Sequence, residues 1–146
     1  MKKNHRTLAN LEQTLANSYA LALKTQNYHW NVTGENFKSL HEMFGLQYEE
    51  LSQAIDEIAE RIRALGSKVD GTFEYFQKLS KIKSGNKNFN SSEILKDLAA
   101  SHQVLVEDLK EGIKAAQDEE DEATADLLIG RSQVHEKAIW MIISSQ

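Results

Sequence analysis

The sequence predicts an all-α protein: four long amphipathic helices with one lengthy polar connection between the second and the third. Three observations carry this. The 146 residues contain no proline, so nothing in the chain forces a helix to break. Apolar residues recur in alternating steps of three and four along four long stretches, the spacing of a helix with one buried face. Between Gly66 and Ser92 the long pattern stops and polar residues dominate.

The first stretch runs through Leu8, Leu11, Leu15, Tyr19 and Ala22 and on to His29. Gly34, flanked by Asn31 and Asn36, breaks it. The second begins at Phe37 and continues through Leu40, Phe44, Tyr48, Leu51, Ile55, Ile58 and Ile62, with Gly66 at its C-terminal end. Within the polar interval, "TFEYFQKL" predicts one short helix with Phe73, Phe76 and Leu79 on one side. Ser91 and Ser92, followed by Glu93, suggest the N-cap of the third long helix, which carries Leu95, Leu98, His102, Leu105, Leu109 and Ile113. The acidic run "DEEDEA", residues 118 to 123, leads into the fourth, with Ala125, Leu128, His135, Ala138 and Ile142. Four such helices with one long crossover give a four-helix bundle of ferritin-like connectivity, here a single domain over residues 1–146. Fold alone assigns no chemistry.

Composition narrows the chemistry. An apolar fraction of 40% and a charged fraction of 27% suit an ordinary globular protein. No apolar run approaches the length that spans a bilayer. "MKKNHRTLANLEQ" lacks the apolar core of an export signal, so a cytoplasmic location is the expectation. With no cysteine, any metal must be held by nitrogen and oxygen ligands. A formal net charge of −5 argues against sequence-independent DNA binding, and Lys2, Lys3 and Arg6 make only a short basic cluster.

The stretch "NYHWNVTGENFKSLHEMF", residues 27 to 44, places His29 and His41 among Trp30, Val32, Phe37, Leu40 and Phe44. Taken singly, a histidine on an apolar stripe is a satisfied core residue, and that reading is kept for His102 and His135. No Glu-x-x-His pair exists, so a carboxylate-bridged centre inside the bundle is not expected. On the second helix, Asp56 and Glu60 lie four apart on one flank of the apolar stripe, and His41 tips toward that flank. Yet His41 and Asp56 are separated by about 22 Å along a straight helix, so one chain cannot bring them to one ion. Two copies of the helix paired antiparallel about a two-fold axis would do so, and the small residues Gly45, Ser52 and Ala59 would let the backbones approach. The alternative is that Asp56 and Glu60 are solvated acids beside Arg61 and Arg63, and the periodicity leaves both open.

"HWNVTGENFKSLHEMF" resembles the signature of the Dps family, the DNA-binding proteins from starved cells, or mini-ferritins. The likeness continues through "IDEIAERIRALG", "DEATADLLI" and "KAIWMI" and covers nearly the whole chain. It implies a hollow dodecamer that oxidises Fe(II), preferentially with hydrogen peroxide, and stores Fe(III) mineral, protecting against oxidative stress. It also implies that His29 and His41 from one subunit and Asp56 and Glu60 from its partner hold the iron at a two-fold interface. Trp30 resembles the family tryptophan proposed to take up oxidising equivalents; helix packing is its plain alternative. Many members carry an acidic residue where this chain has Gly45, which puts the second iron position in doubt. Glu42 and Glu49 share that flank, with solvated surface acids as the favoured reading.

By the same resemblance, Asp126, with Glu122 and Asp121 nearby, would line a three-fold pore that admits iron, and Asp118 is a weaker candidate. Converging carboxylates would concentrate Fe(II), whereas a solvated loop ahead of a helix would look the same in sequence. DNA binding is expected to be weak or absent, since family members usually owe it to a lysine-rich extension. A nucleoid-compacting protein with a secondary metal site is the rival reading, and a helical oligomer with degenerate sites is a second.

Overall fold

A computed structural model describes residues 4–146; Lys2 and Lys3 of the basic cluster lie outside the described residues. Four long helices, α1 (His5–Asn31), α2 (Phe37–Ala64), α4 (Ser91–Asp118) and α5 (Glu122–Ser144), form the bundle, and a short α3 (Phe73–Leu79) lies in the crossover. No strand occurs among the described residues, and none of their helices is long and apolar enough to cross a membrane. α1 packs along both α2 and α4, and α4 along α5, while α2 and α5 meet only loosely. Leu21, Phe44, Leu51, Leu98 and Leu105 fill one half of the core, and Leu11, Ile58, Ile62, Leu109 and Leu128 the other.

The helix ends show where local chemistry decides. α4 begins one residue earlier than its serines suggest: Asn90 is the N-cap, accepting from the Glu93 amide while Glu93 accepts from the Asn90 amide. This reciprocal box satisfies two amides that a helix start leaves orphaned. α1 has no side-chain cap of its own. The Glu119 carboxylate, from the far end of α4, accepts instead from the amides of Arg6 and Thr7 and from the Thr7 hydroxyl. Two helices end in the same reversal, in which the amide two beyond the cap returns to a carbonyl in the last turn. At α2 the left-handed residue is Gly66, with Ser67 donating to Ile62 O. At α4 it is Glu120, at φ 60°, with Asp121 donating to Ala116 O.

The crossover is held by polar contacts as well as by Val69, Phe76 and Ile82 in the core. Gln13 donates to the Leu79 carbonyl, Asn17 accepts from the Lys81 amide, and the Lys81 ammonium lies 2.8 Å from Asp108. Phe76 stacks near Tyr19 and joins the core, whereas Phe73 is 76% exposed. α3 therefore turns only one of its two phenylalanines, Phe76, partly into the core.

The middle of the bundle is polar. His102 and His135 are buried, as core histidines should be, and their Nδ1 atoms lie 2.9 Å apart. His135 Nε2 faces the guanidinium of Arg131, which is itself buried and pairs with Glu50 across the α2–α5 seam. Burial, and then the Arg131 charge, lowers His102 to about 4; burial lowers His135 well below the ordinary range, with His102 and Arg131 adding to it. The Arg131 guanidinium thus lies between Glu50 and His135.

Both histidines are neutral when folded but titrate near 6.5 in an unfolded chain, so acid is taken up preferentially by the unfolded state. Their contribution to stability is intact above about pH 6.5 and is lost as the pH falls toward 4. Urea midpoints measured from pH 7.5 to 4.5 should fall across that window, and a His102→Gln variant should show a shallower decline. Glu120→Gly relieves left-handed strain at a cost in chain entropy and should stabilise by about 0.5–1 kcal/mol, read as a higher urea midpoint.

Candidate metal centre

The turn after α1 folds its last residues back against the first turns of α2, with Gly34 at φ 110° making the bend. His29 and His41 meet there. Their rings stack at 3.9 Å with planes 12° apart, and Phe37, one helical turn before His41, covers the outer face of that ring at 5.2 Å. His29 Nδ1 lies 2.7 Å from the His41 carbonyl, and His41 Nδ1 lies 2.7 Å from the His29 carbonyl. A carbonyl only accepts, so each Nδ1 carries the proton. In the neutral ring Nε2 is then the atom with the lone pair, the form in which imidazole binds a metal ion.

This reciprocal clasp does for both rings what an outer hydrogen bond does in metal sites generally: it fixes tautomer and orientation before any ion arrives. Gly45 completes it. A Cβ there would stand 3.0 Å from His29 Cε1, so the missing side chain is the space the imidazole uses. Tyr48 flanks the pair with its ring 6.1 Å from His29. Phe37 was legible as a helical neighbour of His41, but nothing in the pattern marks Tyr48.

Asp56 and Glu60 lie further along α2, both exposed. Among the described residues of one chain no group of three or more His, Asp or Glu side chains converges, so the four candidates are not brought together within a single subunit. Nor are the two acids partnered by the arginine beside them. Arg61 turns away to Thr124 and Asp121 at the start of α5, and Asp56 and Glu60 make no ion pair among the described residues. Trp30 is 62% exposed, so it is not a packing residue of its own chain.

The pore candidates separate. Asp121 is the N-cap of α5, accepting from the amide and hydroxyl of Thr124 and pairing with Arg61. Burial raises its carboxyl, but the bonds from Thr124 and the Arg61 charge outweigh it and hold it below the usual range. Asp121 is thereby committed to closing the bundle. Asp126 and Glu122 are exposed on the first turns of α5, and Asp118 pairs with Arg6 and Lys114.

A four-helix bundle with one long crossover and a clasped histidine pair at its surface defines a protein of the ferritin class, and residues 8–144 match the ferritin-like domain family. Within that class the chain belongs to the Dps family. It is 34% identical to DNA protection during starvation protein 2 of Bacillus anthracis over 139 residues, 95% of each chain. An uncharacterised low-temperature-induced protein of Nostoc is 39% identical over 92% of this chain and 76% of its own. The crystal structure of a Dps protein from Bacillus brevis superposes with a TM-score of 0.95 at 32% identity, covering 99% of this chain and 97% of that one.

Filling the space at position 45 should disturb the clasp. Gly45→Val should weaken Co(II) binding by about tenfold or more, as loss of an outer-sphere support does in metal sites, when followed by calorimetry on the assembled protein.

Proposed function

We propose that this protein is an iron-storage ferroxidase whose sites form between subunits, His29 and His41 of one chain facing Asp56 and Glu60 of its partner. The single observation that carries the reading is the clasp, which leaves two neutral Nε2 donors on neighbouring stacked rings. Two imidazoles alone leave a metal shell unfilled, and Asp56 of the same chain stands about 22 Å from His41 along α2 and Glu60 about 28 Å, so the missing oxygen donors come from another copy. A two-fold contact supplies them twice over. The family's dodecameric cage is the assembly proposed for it. A Dps protein of Vibrio cholerae, 27% identical with a TM-score of 0.93, is described as a member of a broad superfamily of ferritin-like diiron-carboxylate proteins, which fits iron as the substrate.

The donor set suits the chemistry. Imidazole and carboxylate both bind Fe(II), and the harder carboxylates favour the Fe(III) product, which eases loss of the electron. With hydrogen peroxide as oxidant, two Fe(II) ions each give one electron, the O–O bond breaks, and two hydroxides form without release of hydroxyl radical. Gly45 supplies no carboxylate, so the second ion would rest on fewer protein donors than the first. Trp30, exposed and next to His29 in the chain, is the residue proposed to give up an electron when only one iron is present. Asp126 and Glu122 are the residues proposed to draw Fe(II) toward the cage interior, with Asp121 held back by its cap.

The names of the relatives favour a second reading, DNA protection by binding. The net charge of −5 supports weak or absent binding to DNA at physiological salt, and a gel-shift at moderate salt that retained tight binding would reverse this.

His41→Ala and Asp56→Ala should each slow Fe(II) oxidation strongly, followed by absorbance with peroxide and with air, while assembly stays intact by light scattering. The decisive version mixes the two. Subunits of His41→Ala and Asp56→Ala, unfolded together and reassembled in equal amounts, should recover about a quarter of the parental sites, because each mixed two-fold pair unites one intact set. A site confined to one chain would recover nothing.

A further inference from the structure

The loose seam between α2 and α5 holds a half-open cavity of about 820 Å³, within the range of small-molecule sites. Leu40, Met43, Leu51, Val134, Ala138 and Met141 form its apolar walls. His102 and Gln47 line it as well, and neither is satisfied. His102 is 2% exposed, its Nε2 has no hydrogen-bond partner among the described residues, and neither does the buried carboxamide of Gln47.

The relay in the bundle centre decides what that nitrogen offers. An arginine only donates, so His135 Nε2 accepts from Arg131. A neutral His135 then carries its proton on Nδ1 and donates it to His102 Nδ1. His102, also neutral, must therefore carry its own proton on Nε2. The chain of bonds that begins at Glu50 ends on a buried N–H directed at no acceptor. A metal ion is excluded from this nitrogen, because freeing its lone pair would reverse the relay and set an N–H of His135 against the guanidinium. An anion finds no net attraction either: Arg131 is balanced by Glu50, and Glu42 by Lys137 among the remaining lining charges. The complement is a neutral molecule with an apolar body and an oxygen that accepts.

We propose that the α2–α5 cavity binds a neutral aliphatic carbonyl compound, its oxygen accepting from His102 Nε2–H and from the Gln47 carboxamide. This site is separate from the histidine clasp and stands whether or not iron is the substrate there. An unpaired buried donor makes a polar group on the ligand worth far more than an equal area of hydrocarbon.

The test uses the assembled full-length protein and 2-nonanone labelled with ¹³C at the carbonyl. Calorimetry should show saturable binding, and the infrared carbonyl band of the bound ketone should move to lower wavenumber than in hexane. Octanoate, of similar size but charged, should bind at least tenfold more weakly. Gln47→Leu should weaken the ketone by about tenfold and shrink the band shift. His102→Phe should abolish the shift, but it also strips His135 of its acceptor and can fail to fold, so Gln47→Leu and the parental spectrum carry the test without it. Absence of saturable binding, a bound band unshifted from hexane, or octanoate binding as tightly as the ketone would each overturn the assignment.

Discussion

A positive charge buried between three helices is the constraint from which much of this bundle follows. Arg131 cannot lose its proton, so its burial demands a carboxylate, and Glu50 supplies one across the seam where α2 and α5 otherwise meet only loosely. A further donor of the guanidinium faces His135 Nε2, which fixes His135 in one tautomer and, through it, His102, while Arg131 Nε has no partner among the described residues. Such a network selects one register of α5 against α2, since a shift of one residue would leave a charge unpaired in the interior. A purely apolar seam would tolerate sliding. The second tie between these helices, Arg61 to Asp121 and Thr124, clamps the end where α5 begins.

The helices themselves were legible because their signal is local and repeated. Four apolar stripes, no proline and Gly66 at a helix end mark the architecture to within a residue or two. Contacts between distant positions were not. Glu119 caps α1 at Thr7, 112 residues earlier, and no spacing in the chain records that meeting. Asp121 read as one acid of a run until its role as cap and ion-pair partner separated it from Asp126. Arg131 gave no sign at all, since an arginine at a buried helical position looks like a surface charge until a partner on another helix is seen. Histidines 102 and 135 were legible as core residues, but not as a pair.

The candidate metal centre divides in the same way. His29 and His41 stood out as polar residues on apolar stripes, and helix geometry alone ruled out Asp56 of the same chain as a partner of His41. The clasp was invisible, because it depends on where a five-residue turn returns the chain and on backbone carbonyls, which leave no trace in residue identity. Gly45 illustrates the gap. In sequence it is a missing carboxylate; in space it is the room that lets two rings lie face to face.

The clasp also has a thermodynamic meaning beyond chemistry at the ion. Each chain completes its nitrogen half alone, from contacts between neighbouring ends of α1 and α2, while the proposed oxygen half waits on a second chain. A cation that needs both halves is a ligand of the associated state and of no other. By linkage, its binding tightens the subunit contact by the same free energy with which the contact tightens the binding. Cargo and cage would then favour one another, so that subunits scarce in number would assemble best when iron is abundant.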